Sequence, residues 1–247
     1  MNFWSEMAKS RRQFKRMCQS LTGYWFYKRR HLPRGTDLEW DIQCHWGRTL
    51  IRNVLDVGAN VGQFSGPFRE AFPTGVIHCF EPVAATFARL SRRFESDGQV
   101  HCHNLGLGSR EGEARIFVNP DDTESSLTTR YGAYREEKVK LSTVDEFCQR
   151  QGLEQVDFVK IDTEGFELEV LKGATRMLAG HKISLLLVET ELTPSKRIFI
   201  PLLELHSLLA PFGYELFGIY NQHHQWDGRK SLYFVNALFA SKELLAP

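Results

Sequence analysis

The sequence predicts an α/β fold that is built on a mostly parallel β-sheet. From residue 50 onward, short apolar runs alternate with segments whose apolar residues recur at helical spacing. Runs 52–57, 76–80, 100–104, 156–161 and 183–188 have the length and composition of buried strands. Three of the runs end directly before an acid, namely Glu81, Asp162 or Glu189. In sheets of this class, ligands bind beyond the carboxyl ends of the strands, so these acids mark the expected binding edge.

The segments between the runs predict the helices and the less regular parts of the chain. Helices are expected at 65–72, 83–94 and 167–179, and the first starts no earlier than Ser65 because Pro67 is tolerated only in the first turn. The long stretch between the third and fourth runs predicts an extra strand at 114–118, a polar loop at 121–138 and a helix that a capping box at Thr143 and Glu146 begins. Two further strands are expected at 215–220 and 232–239.

The turn after the first strand is the most informative local feature. Asp56 is followed by Gly58 and Gly62, and glycine lets the backbone approach a ligand that side chains would exclude. The spacing is not the G-x-G-x-x-G of a dinucleotide site. An acid at Asp56 would repel a pyrophosphate but suits a ligand with a cationic amino group. The alternative is a surface turn after a buried strand.

Glu81 repeats this arrangement at the tip of the second strand. An acid at that place in an α/β sheet typically holds the hydroxyls of a ribose. The two acid-tipped strands together predict a site for a nucleoside-type cofactor.

Length and composition indicate one catalytic domain with an N-terminal extension. A chain of 247 residues with 42% hydrophobic residues can bury one full core. We place the extension at residues 1–49 and the domain at residues 50–247. No apolar run is long enough to cross a bilayer, and no secretory signal is seen. The five cysteines form no C-x-x-C pair, which favours a reduced, cytoplasmic setting.

Charge is distributed unevenly along the chain. Residues 1–34 contain nine Lys or Arg and a single acid, Glu6, whereas the remainder carries 22 basic and 29 acidic residues. Aromatic residues are interspersed in the basic part. This segment is interpreted as a solvated arm whose aromatics dock on the acidic body, with contact to an anionic membrane surface as the alternative. The acidic body argues against nucleic acid as a partner.

Several motifs resemble a known family. The motifs are Asp56-Val57-Gly58-Ala59-Asn60-Val61-Gly62, Phe80-Glu81-Pro82, Asn104-Leu105-Gly106-Leu107-Gly108, Ser125-Ser126-Leu127 and the long segment 160–174, which begins Lys160-Ile161-Asp162-Thr163-Glu164-Gly165. They resemble the class I S-adenosylmethionine methyltransferases and, more narrowly, the FkbM family. The match spans roughly residues 50 to 240. It implies a Rossmann-like, seven-stranded sheet whose last strand is antiparallel.

The resemblance also implies a cofactor and residues that bind it. The cofactor would be S-adenosyl-L-methionine. Its methionine end would be surrounded by Asp56, Gly58 and Asn60 with Gly62 in the same turn, its ribose held by Glu81, and its adenine flanked by Asn104. The implied reaction is O-methylation of a sugar, glycan or other small molecule.

Carboxylates at the ends of the fourth and fifth strands are the catalytic candidates. A hydroxyl is a weak nucleophile near neutral pH, so a base must take its proton. Asp162, Glu164 and Glu189 are the candidates, since neighbouring carboxylates raise one another's pKa. Alternatively, Glu164 caps the following helix. The sequence shows no dedicated metal-ligand spacing, so no metal is predicted, although a divalent ion shared by the three acids is a second option.

Two histidines lie near the expected site. His223 and His224 lie in a loop expected on the cofactor edge, and we interpret them as surface residues with catalysis as the alternative.

Two other functions stay open: an NAD-dependent oxidoreductase, and a non-catalytic nucleoside-binding module. The expected partner is a small-molecule or glycan substrate.

Overall fold

The structure is a computed structural model that describes residues 3–24, 27–28, 31–118, 135–192, 199–224 and 231–246. Several sequence predictions fall outside these ranges: the Ser125-Ser126-Leu127 motif, most of the polar loop at 121–138, and most of the connection between the last two strands.

The described residues form two β-sheets. The strands are β1 (Asn53–Val57), β2 (Val76–Phe80), β3 (Val100–His103), β4 (Gly106–Leu107), β5 (Gly112–Val118), β6 (Arg135–Ser142), β7 (Val156–Ile161), β8 (Ile183–Glu191), β9 (Tyr214–His224) and β10 (Leu232–Ser241). The large sheet has seven strands in the order β3-β2-β1-β7-β8-β10-β9, and a small sheet has the order β4-β6-β5. Neighbours from β3 to β8 are parallel, whereas β10 is antiparallel to both β8 and β9. The predicted seven-stranded sheet with its antiparallel last strand is confirmed.

Helices cover both faces of the large sheet. They are α1 (Phe3–Thr22), α2 (Leu38–Trp46), α3 (Ser65–Ala71), α4 (Ala84–Arg93), α5 (Val144–Gln151), α6 (Glu167–Lys172), α7 (Thr175–Ala179), α8 (Leu202–Leu209) and α9 (Lys242–Leu245). Among the described residues, no helix combines the length and the apolar character that crossing a bilayer requires.

Alternation along the strands divides the core between the two faces. Leu55 and Val159 pack in one apolar cluster with α5, α6, α7 and α8. The adjacent residues Val54 and Phe158 pack in a second cluster with α2, α3 and α4. Successive strand side chains point to opposite faces, so each strand contributes to both cores.

Two predicted elements differ from the structure. The single helix expected at 167–179 is wrong, because α6 and α7 are separate helices that meet at Gly173 and Ala174. A β-carbon on Gly173 would lie 2.0 Å from the carbonyl oxygen of Gly108, so this close packing admits no side chain. The polar loop predicted at 121–138 extends too far, because residues 135–138 begin β6. These four residues are all charged, and the alternation of charged and apolar residues that marks the covered face of the small sheet starts only at Val139.

Part of the predicted N-terminal extension packs on the domain. Ile42 of α2 is fully buried in the core, and the indole N–H of Trp46 donates to the carbonyl of Leu244. Tyr220 donates its hydroxyl to Asp41 over 3.0 Å. Because of these contacts, the segment that starts near residue 35 forms part of the same body as the sheet, although it lies before the boundary predicted at residue 50.

Candidate active site

A cavity of about 870 Å³ opens at the carboxyl ends of the central strands. Its walls come from the tips of β1, β2, β7 and β8, from β10, and from the start of α2. The predicted site residues that line it are Gly58, Asn60, Glu81, Asp162, Glu164 and Glu189. This size is typical of a cavity that encloses a small ligand.

The turn after β1 brings bare backbone to the cavity wall. The N–H groups of Gly58 and Ala59 both donate to the carbonyl of Phe80, at 3.1 and 3.0 Å. Gly58 has a φ of 80°, and a β-carbon there would lie 1.8 Å from the carbonyl oxygen of Asp162. Only glycine fits, because the tips of β1 and β7 are in direct backbone contact.

Glu81 is buried at the tip of β2, and backbone groups orient its carboxylate. Oε2 accepts from the N–H of Asn60 at 3.1 Å, and Oε1 accepts from the N–H of Val83 at 2.9 Å. Burial raises the pKa of the Glu81 carboxyl to about 7, against the lowering effect of these hydrogen bonds. A carboxylate held in this way can accept hydrogen bonds from two neighbouring hydroxyls.

Asn104 and Gly62 do not line the cavity. The amide of Asn104 donates to the carbonyls of Glu81 and Pro82, so it holds the turn that carries Glu81. Gly62 has a φ of 81°, and a β-carbon there would lie 2.5 Å from the Phe94 ring. Both residues thus support the residues that form the wall, and their direct contact with a cofactor stays a prediction.

Asp56 lies beneath the cavity and not on its wall. Its side chain has no exposure, Oδ2 accepts from the Ser65 hydroxyl at 2.6 Å, and Oδ1 lies 3.4 Å from Nζ of Lys160. In this position Asp56 supports the residues of the wall, and its direct contact with a ligand stays a prediction. Its charge acts through Lys160.

Lys160 joins the first turn to the tip of β7. Its Nζ lies 3.0 Å from Oδ2 of Asp162 and donates to the carbonyl of Gly58 at 3.3 Å. Burial opposes the charge of Lys160, but Asp162 and Asp56 more than offset that effect and hold its pKa above the usual range. The ammonium therefore stays charged and fixes two loops of the site relative to each other.

The segment that follows β7 is organised by Glu167, a fully buried acid that sequence reasoning did not select. Oε1 of Glu167 accepts from the N–H and the hydroxyl of Thr163 and from the N–H of Gly165. Thr163 and Gly165 precede α6, so these bonds order the turn before the helix. The N-cap position of α6 is Phe166 and no side chain of the described residues caps the helix, so the alternative role of Glu164 as a cap is not seen. Glu164, with a φ of 53°, lines the cavity instead.

The three catalytic candidates come together. One carboxylate oxygen from each of Asp162, Glu164 and Glu189 lies within 4.8 Å of the other two. Burial, Asp162 and Glu164 raise the pKa of Glu189 to about 11. For Asp162, burial raises the pKa but the Lys160 ion pair prevails, so the value lies below the usual range. Asp162 is thus ionised while Glu189 keeps its proton.

Acids outnumber bases on the cavity wall. Among the described lining residues, the acids are Asp37, Glu39, Glu81, Asp162, Glu164 and Glu189, whereas Lys160 is the one Lys or Arg. Such a wall favours a ligand with positive charge and disfavours a polyanion.

Other lining residues were not predicted from sequence. Asp37 and Glu39 come from the start of α2, and Asn236 comes from β10, directly opposite Glu189 in the register. A signal was present for Lys160 and Asn236, because each is a polar residue within a mostly apolar strand. His223 and His224 are both exposed, and His223 also lines the cavity and stacks on Phe234 with ring centroids 4.4 Å apart.

A family model described as the methyltransferase FkbM domain matches residues 56–227. Three curated relatives are similar over about half of the chain. The 2-O-methyltransferase NoeI of Sinorhizobium fredii is 23% identical over 51% of this chain and 58% of its own length. The hexuronic acid methyltransferase AglP of Haloferax volcanii is 30% identical over 55% of this chain and 54% of its own. Methyltransferase 1 of Beauveria bassiana is 25% identical over 49% and 57%. The chain thus spans little more than half the length of these relatives.

Proposed function

Because the chain belongs to the FkbM methyltransferase family, we propose that it transfers a methyl group from S-adenosyl-L-methionine to a hydroxyl oxygen. The observation that carries the proposal is the acidic wall around a backbone-lined turn. S-adenosylmethionine has a net positive charge, which suits a wall whose ionised acidic side chains outnumber its single lysine among the described lining residues. The two phosphates of a dinucleotide would be repelled, so an NAD-dependent oxidoreductase is disfavoured.

The residues on the wall fit this cofactor. Glu81 would bind the ribose hydroxyls, because its carboxylate is already oriented by two backbone N–H groups. The turn at Gly58 and Asn60 would face the methionine part. Pro82, Leu107 and Ile116 supply apolar surface beside Glu81, and we assign the adenine to them in place of Asn104.

The chemistry requires a proton acceptor beside the acceptor hydroxyl. The cofactor supplies an electrophilic methyl group: its C–S bond breaks with the electron pair going to sulfur as the C–O bond forms. Asp162 is the proposed proton acceptor, since Lys160 keeps it ionised and Glu189, protonated, donates a hydrogen bond to it. Positioning by these fixed groups and exclusion of water would supply much of the acceleration.

The proposed acceptor is a neutral, hydroxyl-rich molecule such as a sugar unit of a glycan. Two relatives are named as a 2-O-methyltransferase and a hexuronic acid methyltransferase. The described wall of this chain offers amide side chains that suit hydroxyl groups: Asn60, Gln63, Asn221 and Asn236. Its excess of carboxylates favours a neutral sugar over a uronic acid.

A binding measurement and a transfer assay test the proposal together. Calorimetry should detect S-adenosylhomocysteine binding and no NAD binding, and labelled S-adenosylmethionine should methylate neutral glycans in preference to uronic acids. Asp162→Asn should abolish transfer while leaving S-adenosylhomocysteine affinity within a few-fold. The exposed Glu154→Gln, which lies outside the cavity, is the matched control.

Each rival function predicts a different outcome. Tight NAD binding would replace the proposal by an oxidoreductase. S-adenosylhomocysteine binding without transfer to any acceptor in the panel would favour the non-catalytic module. Transfer at a normal rate by the Asp162→Asn variant would contradict the assignment of the base.

A second part of the proposal concerns the N-terminal helix and an anionic lipid surface. Phe14, Met17 and Leu21 of α1 share one helical face and are 64%, 52% and 78% exposed. Residues 1–34 carry nine basic residues against a single acid. An exposed apolar stripe within a basic segment favours adsorption to anionic membranes, where a lipid-linked glycan acceptor would be found.

Cosedimentation with vesicles tests this contact. The full chain should bind vesicles that contain phosphatidylserine and not neutral vesicles, and the combined change of Phe14, Met17 and Leu21 to Ala should reduce binding. Binding that this variant retains in full would remove the membrane from the proposal.

All five cysteines are free, which supports a reducing compartment.

A further inference from the structure

Two buried oxygen atoms face the cavity without a hydrogen-bond partner. Glu189 is 7% exposed, and its Oε2 has no partner among the described residues. Oδ1 of Asn236, on the neighbouring strand, is also buried and has no hydrogen-bond partner among the described residues. Buried polar atoms are rarely left unpaired, because desolvation without a partner costs about 1–3 kcal/mol. Each unpaired atom therefore calls for a ligand.

The two residues stand side by side. Glu189 of β8 and Asn236 of β10 are directly opposite in an antiparallel pair, so their side chains lie on the same face of the sheet. Both line the cavity, as do Asp162 and Glu164. The unpaired atoms thus lie at the part of the cavity where the side chains of Asp162, Glu164 and Glu189 meet.

The spacing of the carboxylates fits a single ion. Their candidate ligand atoms lie within 4.8 Å of one another. Ligands on opposite sides of one ion are about 4.2 Å apart for Mg²⁺ and about 5 Å for Ca²⁺. Nζ of Lys160 lies 3.0 Å from Oδ2 of Asp162, so Oδ1 is the oxygen that this ion pair does not use.

We propose that Asp162, Glu164, Glu189 and the amide oxygen of Asn236 bind one hard divalent cation such as Mg²⁺, Mn²⁺ or Ca²⁺. All four ligands are oxygen atoms, which such ions prefer. The ion would displace the proton of Glu189 and balance the negative charge of the three carboxylates. It would supply Lewis acidity toward the acceptor hydroxyl, and in this respect the inference rests on the proposed function.

Titration with Mn²⁺ alone tests the site without any transfer assay. Calorimetry and the electron paramagnetic resonance signal of Mn²⁺ should show one bound ion per chain. Glu189→Gln keeps the size of the side chain and should weaken Mn²⁺ binding at least about tenfold, as losses around metal sites typically do. Asn236→Asp adds a charged ligand and should strengthen binding, which a damaged fold would not do. Glu154→Gln should bind Mn²⁺ like the parent protein.

The outcomes separate this inference from the proposed function. Absence of saturable Mn²⁺ binding, or equal affinity in the parent and the Glu189→Gln variant, would overturn the metal site. In that case the proton on Glu189, and not an ion, would reduce the negative charge of the three acids. S-adenosylhomocysteine binding measured in the presence of a chelator reports on the cofactor site separately. A protein that does not bind S-adenosylhomocysteine would contradict the proposed function. A protein that binds S-adenosylhomocysteine but not Mn²⁺ would contradict the metal site alone.

Discussion

Lys160 and Glu81 show how single residues set the electrostatics of the site. Lys160 is a buried cation between two carboxylates and a carbonyl, so its removal would leave the buried side chain of Asp56 without a neighbouring positive charge. Glu81 is the opposite case, an acid whose charge is opposed by burial. Both residues were quoted in sequence motifs, but their states depend on neighbours that the motifs do not name.

The state of Glu81 predicts a pH dependence of cofactor binding. Its pKa of about 7 means that protonation grows as the pH falls below 7, and a protonated carboxyl accepts ribose hydrogen bonds less well. The affinity for S-adenosylhomocysteine should therefore fall from about pH 8 to about pH 6, by at most about tenfold per pH unit.

Calorimetry at several pH values checks this prediction. Glu81→Gln should bind more weakly, and its affinity should be nearly constant over the same range. An identical pH profile in the variant and the parent would assign the effect to another group.

At the scale of elements, α2 completes a cavity that the strand tips begin. The hydroxyl of Tyr220 in β9 donates to Asp41 in α2, and the other contact of that carboxylate is the N–H of Gly35 at 2.8 Å. Gly35 itself packs against β9, since a β-carbon there would lie 2.4 Å from the carbonyl of Ile219. Residues 36–39 thereby become part of the wall.

This anchoring predicts a local effect of Tyr220→Phe. The loss of one buried hydrogen bond should lower stability by about 1–2 kcal/mol and loosen residues 35–41. Hydrogen exchange in that segment should accelerate, and affinity for S-adenosylhomocysteine should fall.

Tyr214→Phe is the matched control. It removes an equally buried hydrogen bond, from the Tyr214 hydroxyl to the carbonyl of Ile183, at a place away from the cavity. Comparable destabilisation without faster exchange at residues 35–41 is expected. Equal exchange in both variants would mean that Tyr220 does not anchor α2.

At the scale of the whole molecule, the acidic site should lower stability. Glu189 has a folded pKa of about 11 against an unfolded value of about 4.5. The folded protein therefore keeps a proton that the unfolded chain releases. Below about pH 4.5 Glu189 is protonated in both states and does not lower the free energy of unfolding. As the pH rises from about 4.5 toward 11, the unfolded chain gains stability by releasing this proton, so the free energy of unfolding falls progressively.

Glu189→Gln removes this dependence and should stabilise the protein. In a chelating buffer the variant should unfold at a higher temperature than the parent, by a few degrees for each ~1 kcal/mol, and the difference should grow from about pH 6 to about pH 9. Differential scanning calorimetry measures this difference in unfolding temperature, with the Glu154→Gln variant as the control. A variant that is equally stable or less stable at every pH would contradict the raised pKa.

The sequence by itself determined the central strands, their order along the chain and the acids that follow them, whereas the number of strands and the antiparallel last strand were implied by the family resemblance. These features follow from local patterns: apolar runs, turn glycines and the capping residue Thr143, which accepts from the N–H of Glu146 as expected. Asp162, Glu164 and Glu189 could be grouped from sequence because the carboxyl ends of parallel strands meet at one edge.

Only the tertiary structure decided which residues form the wall and which lie behind it. Asp56 is buried under Lys160, Asn104 supports a turn, and α2 reaches the cavity through a contact between Asp41 and Tyr220, which are 179 residues apart in sequence. Such contacts leave no local pattern, because burial and charge depend on segments that are distant in the chain and that only folding brings together.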